Sequence, residues 1–432
     1  MRGCFIVARL RANHSRMQWV SDRSAAVATM LPHELSDSIA RLTNKRGYIN
    51  AGIPRFEYLF GRDSIISALQ LLKLNPEIAR CTLLELARLQ GRKVDNGTEE
   101  EPGKILHECY NNGDESAFMK YKSELGWLKP DRPVYFSIDS TPLFLILFSR
   151  YYSYTRDISI MEIAGSVDNA VMWLLDHGII DGLVRYGKPS EGAGLLSQSW
   201  KDGVGKLLDD AVAPVAVVEV QGYAYAALTS LAPLYRRRNP EMALRMSSAA
   251  SMIRERLEEF WMPDERFYAL SIDGSGRKIC AVTSNPGHLL FTGILPKSRA
   301  AAVVSRLMRP DMLTPYGIRT HSSLEPDFDE RSYQRGSVWP HDNGMIAMGM
   351  ERTDHSASIT VAEAVLRAYR ETGGAPEYLG VSRSNRLIPS DELEVEPCTL
   401  QGWSVATIAN MIAKHPEVWQ RGQPDLMLVR RE

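Results

Sequence analysis

The sequence predicts an all-α fold, an (α/α)6 toroid carrying one minor β-hairpin, and three observations lead there. Helical periodicity with capping residues recurs twelve times along the 432 residues. Chemically unusual residues gather in the segments that lead into the even-numbered helices. Those even helices, with runs such as LFLILF and AYAALTSLA, are apolar nearly all round, as buried helices should be. Six helical hairpins in a ring, inner helices even and outer helices odd, satisfy all three. An irregular bundle or a solenoid predicts no such segregation of chemistry to alternate loops.

In chain order the expected helices are Asp22–Met30, Asp63–Leu74, Pro76–Gln90, Thr141–Tyr154, Ser159–His177, Val212–Tyr235, Pro240–Trp261, Pro286–Ile294, Lys297–Met308, Pro340–Arg352, Ser356–Thr372 and Leu400–Lys414. Odd helices follow plain turns such as KLNPEIA, RRNPEMA and GILPKSRA, with proline near the first helical position. They keep a charged face, as in MIRERLEEFW. Even helices follow FGRDS, FSIDST, SQSWKDG, TSNPGH, RGSVWPHDN and EVEPCTLQGW. The run FYALSIDGSGRKICAV alternates around Asp273-Gly274-Ser275-Gly276 and reads as a hairpin between Phe267 and Val282. Residues 1–20 are expected to be an N-terminal tail whose order the sequence leaves open, and 21–432 one catalytic domain.

Composition excludes several function classes. Fifty-one Lys and Arg against 52 Asp and Glu leave no field to attract nucleic acid or anionic lipid. Cys4, Cys81, Cys109, Cys280 and Cys398 are scattered and form no CxxC pair, which suits free thiols in a cytoplasmic protein. The start MRGCFIVARLR is too brief for a secretory core, and no apolar run approaches the roughly 20 residues that span a bilayer. No Gly-rich phosphate loop or GxSxG elbow occurs, and no HExxH or CxxC spacing supports zinc. Nothing in the sequence bears on oligomeric state.

The chemistry that remains is that of a carbohydrate site. In SQSWKDG, Trp200 offers a face for a pyranose, Asp202 a proton and Lys201 a donor to a hydroxyl; the plainer reading of Asp202 is a cap for the helix that follows. Glycoside hydrolysis needs a second carboxyl. Asp63, Asp139, Asp342, Glu377, Glu394 and Glu396 lie in the right loops, and Glu377 stands out because GGAPEYLG holds it beside Tyr378 in a tight, non-helical setting. RGSVWPHDN packs Arg335, Trp339, His341, Asp342 and Asn343 together, more hydrogen-bonding capacity than a cap requires. Arg62 and Asp63 of FGRDS either pair, bind hydroxyls or, for Asp63, cap a helix. The purpose of Lys104 and His107 in EPGKILHE cannot be read from spacing.

Taken in order, AGIPRFEYLFGRDSIISALQLL, EPGKILHE, SIDSTPLF, SQSWKDG, EVQGYAYAAL, SNPGHLLFTGI, RGSVWPHDN and APEYLG resemble the catalytic domain of amylo-α-1,6-glucosidase-like proteins, the glycogen debranching glucosidase family, from about Ala51 to Ile412. That resemblance implies a toroid and cofactor-free, inverting hydrolysis of α-glucosidic bonds, with Asp202 as general acid and Glu377 as general base. Arg62, Asp63, Trp200, Lys201, Trp339, His341, Asp342 and Trp403 are then the expected sugar contacts. Departures are PEYL and CTLQGW where the family tends to read PELF and a serine-proline-glutamine-alanine-tryptophan run, and no N-terminal β-rich domain precedes the first helix, so substrate length stays open. Competing readings are a lyase or sugar epimerase using His341 and Tyr135, a non-catalytic carbohydrate-binding relic, and, more weakly, a zinc enzyme.

Overall fold

In the computed structural model, residues 31–110, 128–187, 195–203, 208 and 210–421 are described. The helix expected at Asp22–Met30 and the N-terminal tail lie outside them. Thirteen α-helices occur among the described residues: α1 (His33–Leu42), α2 (Gly61–Leu71), α3 (Pro76–Arg88), α4 (Ser140–Thr155), α5 (Ala164–Trp173), α6 (Val218–Tyr235), α7 (Pro240–Leu257), α8 (His288–Thr292), α9 (Lys297–Leu307), α10 (Pro340–Met350), α11 (His355–Thr372), α12 (Gly402–Lys414) and α13 (Pro416–Arg421). None of the described helices is long and apolar enough to cross a membrane.

The even helices pack in a closed cycle. Helix α2 packs on α4, α4 on α6, α6 on α8, α8 on α10, α10 on α12, and α12 returns to α2. A two-stranded ladder adds to that last junction, pairing Gly52 with Gln401 and Ile53 with Leu400. The toroid is therefore the fold. Every residue of α2 is buried, and α4 is buried along its first ten residues, because inner helices have neighbours on all sides. Outer helices bury one stripe: in α7, Ala243, Met246, Ala250, Ile253 and Leu257 face inward at spacings of three and four. Asn75 and Asn239 cap α3 and α7 by accepting from the backbone N–H groups of Glu77 and Met242, with proline at the first turn.

Four expectations need correction. The described chain opens with α1, where Leu35, Ile39 and Leu42 form the inward stripe; it starts after Pro32 with no side-chain cap to announce it. Helix α6 starts at Val218 rather than Val212, since the β-branched run before it extends and Ala216–Val217 pairs with Ser271–Ile272. Helix α8 is a short piece after a 3-10 turn at Asn285–Gly287, and it stops at Gly293, whose φ of +75° ends a helix cheaply. The expected hairpin is present, with Lys278 opposite Ile272 around the Asp273–Gly276 turn, but it gains Ala216–Val217 as a third strand. Among the described residues six two-stranded ladders, that of Gly52–Ile53 with Leu400–Gln401 included, each strand two residues long, join the loops.

Candidate active site

The loops entering the inner helices meet around a cavity of about 170 Å³. Strand Leu59–Phe60 delivers the chain into α2 and pairs with Glu108–Cys109, which sets His107 and Glu108 beside the α2 start. Asp63 sits in the first helical turn, where Phe60 is the cap residue, so the capping role does not apply. The cavity is lined by Arg62, Asp63, His107, Glu108, Trp200, Asp202, Tyr333, Gln334, Trp339, Glu377, Gln401 and Trp403, together with Ala51, Phe56, Phe60 and Leu195. Seven of the ten residues expected at the site thus line one cavity: Arg62, Asp63, Trp200, Asp202, Trp339, Glu377 and Trp403.

The other three stand behind it. Lys201 is buried, and its Nζ donates to Thr320 O at 2.5 Å while lying 5.1 Å from the Trp200 ring centroid. His341 is fully buried, stacked on Trp403 at 3.6 Å and edge-on to Trp200 at 4.9 Å. Asp342 Oδ1 lies 2.7 Å from His288 Nε2, and His288 covers a face of Trp200, the rings parallel to within 4°. These side chains hold the aromatic wall rather than line the cavity, correcting the expectation that they contact hydroxyls. Adjacency in sequence to Trp200 and Trp339 put them under suspicion, but successive residues at a loop–helix junction point in different directions. Tyr135 is also elsewhere, donating to Leu89 O at 2.7 Å, so the His341 and Tyr135 pair that a lyase or epimerase would use is not assembled at the cavity.

The two principal carboxyls have opposite surroundings. Burial pushes the Asp202 carboxyl up to about 6, against the opposing pull of Arg62 and with a further push from Glu377. Glu377 collects donors instead: Tyr333 Oη to Oε1 at 2.5 Å, Arg55 Nη2 to Oε2 at 3.1 Å and the Cys398 backbone N–H to Oε2 at 3.0 Å. Such a cradle is the complement of an anion. Arg62 is anchored by Asp139, Nε to Oδ2 at 2.6 Å, and through Nη2 by Gln198 O at 3.3 Å, contacts that use only part of its guanidinium.

Sequence reasoning missed Tyr333 and Gln334. Gln334 Nε2 donates to Trp200 O at 3.0 Å and its Oε1 accepts from Gly203 N–H, while the neighbouring Tyr333 holds Glu377. One dipeptide therefore ties the loop of one carboxyl to the other carboxyl. Gly203 is needed for the fit, since a Cβ there would lie 2.9 Å from Tyr333 Cδ1 and 3.0 Å from Gln334 Oε1. Their signal was position: the pair stands immediately before RGSVWPHDN.

Asp63, accepting from Gln401 Nε2 at 3.3 Å, is pushed up to about 8 by burial, with Arg62 opposing and Glu377, Asp202 and Asp139 adding to it. Its folded value lies above the unfolded one of about 4, so its contribution to stability is whole at low pH and is lost as pH rises toward 8. Between pH 6 and 8, the wild-type melting temperature is expected to fall by an increment that Asp63→Asn lacks. The group's share is at most about 1.4 kcal/mol per pH unit. Equal slopes for the two proteins by differential scanning fluorimetry would remove the raised value from the account.

The profile of the mannosylglycerate hydrolase MGH1-like glycoside hydrolase domain matches residues 159–383, just over half of the chain and the span containing Trp200, Asp202, Trp339 and Glu377. Solved structures with the same fold include the GH63 mannosylglycerate hydrolase from Thermus thermophilus in complex with Tris and D-glycerate, at TM-score 0.67 and 17% identity over 89% of this chain and 99% of that one. The same enzyme in complex with glucose gives TM-score 0.65, again at 17% identity and with the same coverage. No curated protein matches the chain in sequence. The glycoside hydrolase part of the resemblance read from the motifs stands; the matching profile is MGH1-like rather than that of the debranching glucosidases.

Proposed function

Because the chain belongs to the mannosylglycerate hydrolase MGH1-like glycoside hydrolase domain family, we propose that it hydrolyses, with inversion, the α-linked glycoside of a single hexose bearing a small aglycone. The observation that carries this reading is the pairing of unlike carboxyls, Asp202 and Glu377, on one cavity. Asp202, protonated through its raised affinity, gives its proton to the glycosidic oxygen as the bond to the anomeric carbon breaks. Glu377 accepts a proton from water, whose oxygen bonds the anomeric carbon on the opposite face of the ring. Trp200, Trp339 and Trp403 supply apolar surface for the ring, and Arg62, Asp63, Glu108 and Gln401 supply partners for its hydroxyls.

The solved structures with this fold, a mannosylglycerate hydrolase seen with glucose or with Tris and D-glycerate, support one hexose with a short aglycone over a branched glucan. The motif resemblance keeps α-1,6-glucosides in the test set. Proton NMR of the protein with α-mannosylglycerate, α-glucosylglycerate, isomaltose and a limit dextrin reads both linkage and stereochemistry. Early appearance of the β-anomer from a small conjugate is the expected result. Release of α-anomer first overturns inversion, and release from the dextrin alone overturns the small substrate.

The pH profile follows from Asp202. The active form is protonated, so kcat/KM is expected to fall about tenfold per pH unit above about pH 6. A profile flat to pH 8 would deny Asp202 the role of acid.

A further inference from the structure

Outside the cavity, the segment between Ile318 and α10 holds a cluster of metal-ligating side chains, and we propose that His321, Glu325 and Asp327 bind a divalent transition-metal ion of the zinc class. One ligand atom from each lies within 4.8 Å of the others. Ligands about 2.1 Å from a common ion stand roughly 3 to 3.5 Å apart, so small rotations close the site. His321 Nε2 already lies 2.8 Å from Asp327 Oδ1.

The cluster is built rather than scattered. His321 is 1% exposed, anchored by an antiparallel bridge to Thr283. Glu325 Oε1 is fixed by the Val282 backbone N–H at 2.8 Å, and Arg335 Nη1 holds the Asp327 carbonyl at 3.3 Å. Asp327 Oδ2 and His321 Nδ1 are buried with no hydrogen-bond partner among the described residues. Buried polar atoms are almost always satisfied; with Nε2 of His321 turned toward Asp327, it is Asp327 Oδ2 that asks for a ligand. Among the described residues no lysine or arginine forms an ion pair with either carboxylate. One imidazole and two carboxylates suit Zn²⁺ or Mn²⁺ better than Mg²⁺, which takes an oxygen shell.

The site lies at the root of the segment that ends in Tyr333 and Gln334, so a bound ion fastens the stretch that ties Asp202's loop to Glu377. The inference does not rest on the hydrolase reading, since binding is measured without turnover. Untagged, full-length protein treated with EDTA is titrated with ZnCl₂ by calorimetry and followed by thermal shift, and Co²⁺ is used for its visible spectrum. One equivalent of Zn²⁺ is expected to bind and to raise Tm by several degrees at about 100-fold excess over Kd. Asp327→Asn and Glu325→Gln, at positions less buried than His321, are each expected to weaken binding at least about tenfold. Absence of binding to wild type overturns the proposal, and so does binding that both variants leave intact.

Discussion

Asp202→Asn is expected to lower kcat by about 10³- to 10⁴-fold on an alkyl glycoside, while leaving the folded protein intact. The amide keeps the size of the side chain and removes the transferable proton. The loss should depend on the leaving group: a glycosyl fluoride departs without protonation and should be turned over by the variant at near wild-type rate. That split separates an acid from a residue that merely shapes the cavity, because a shape defect slows both substrates alike. Full activity on the alkyl glycoside, or equal losses on both, would exclude Asp202 as the acid.

Glu377→Gln has the complementary signature, with a fall of similar size for every leaving group, because water must be deprotonated whichever bond breaks. Added azide, which attacks without a base, should restore turnover and yield the β-glycosyl azide. An α-azide would point to a retaining course through a covalent intermediate. Tyr333→Phe deletes one of three donors to Glu377 and should cost far less than removal of the carboxylate itself.

How far the sequence could be read follows from the range of the interactions involved. Periodicity is local, and the ring of helices was legible from it, as was the concentration of chemistry before the even helices. Trp200, Asp202 and Glu377 were candidates from composition within a few residues, but their local pattern left a cap or an exposed turn open, and only the ordered motifs gave the carboxyls their expected roles. Two-residue strands such as Ala216–Val217 have no period to detect, and α1 begins after Pro32 with no side-chain cap to mark its start. Lys201, His341 and Asp342 look in sequence like their neighbours in the wall; only the fold turns them toward Thr320, Trp403 and His288. Gln334 reaches a backbone 131 residues away, and no local pattern encodes that distance.

The return of α12 onto α2, with Gly52–Ile53 laddered to Leu400–Gln401, bears on how the molecule comes apart. An open array of hairpins has end repeats with one neighbour each, and these fray first. In the closed cycle every inner helix has two inner neighbours, so opening at any junction exposes apolar surface on both sides at once. Unfolding of the described toroid is then a single cooperative event, with backbone amides of α2, α4 and α12 exchanging at the global rate while the outer turns exchange by local opening. The cavity sits where the entrances to the inner helices converge, so an opening at any junction of the cycle also opens the cavity.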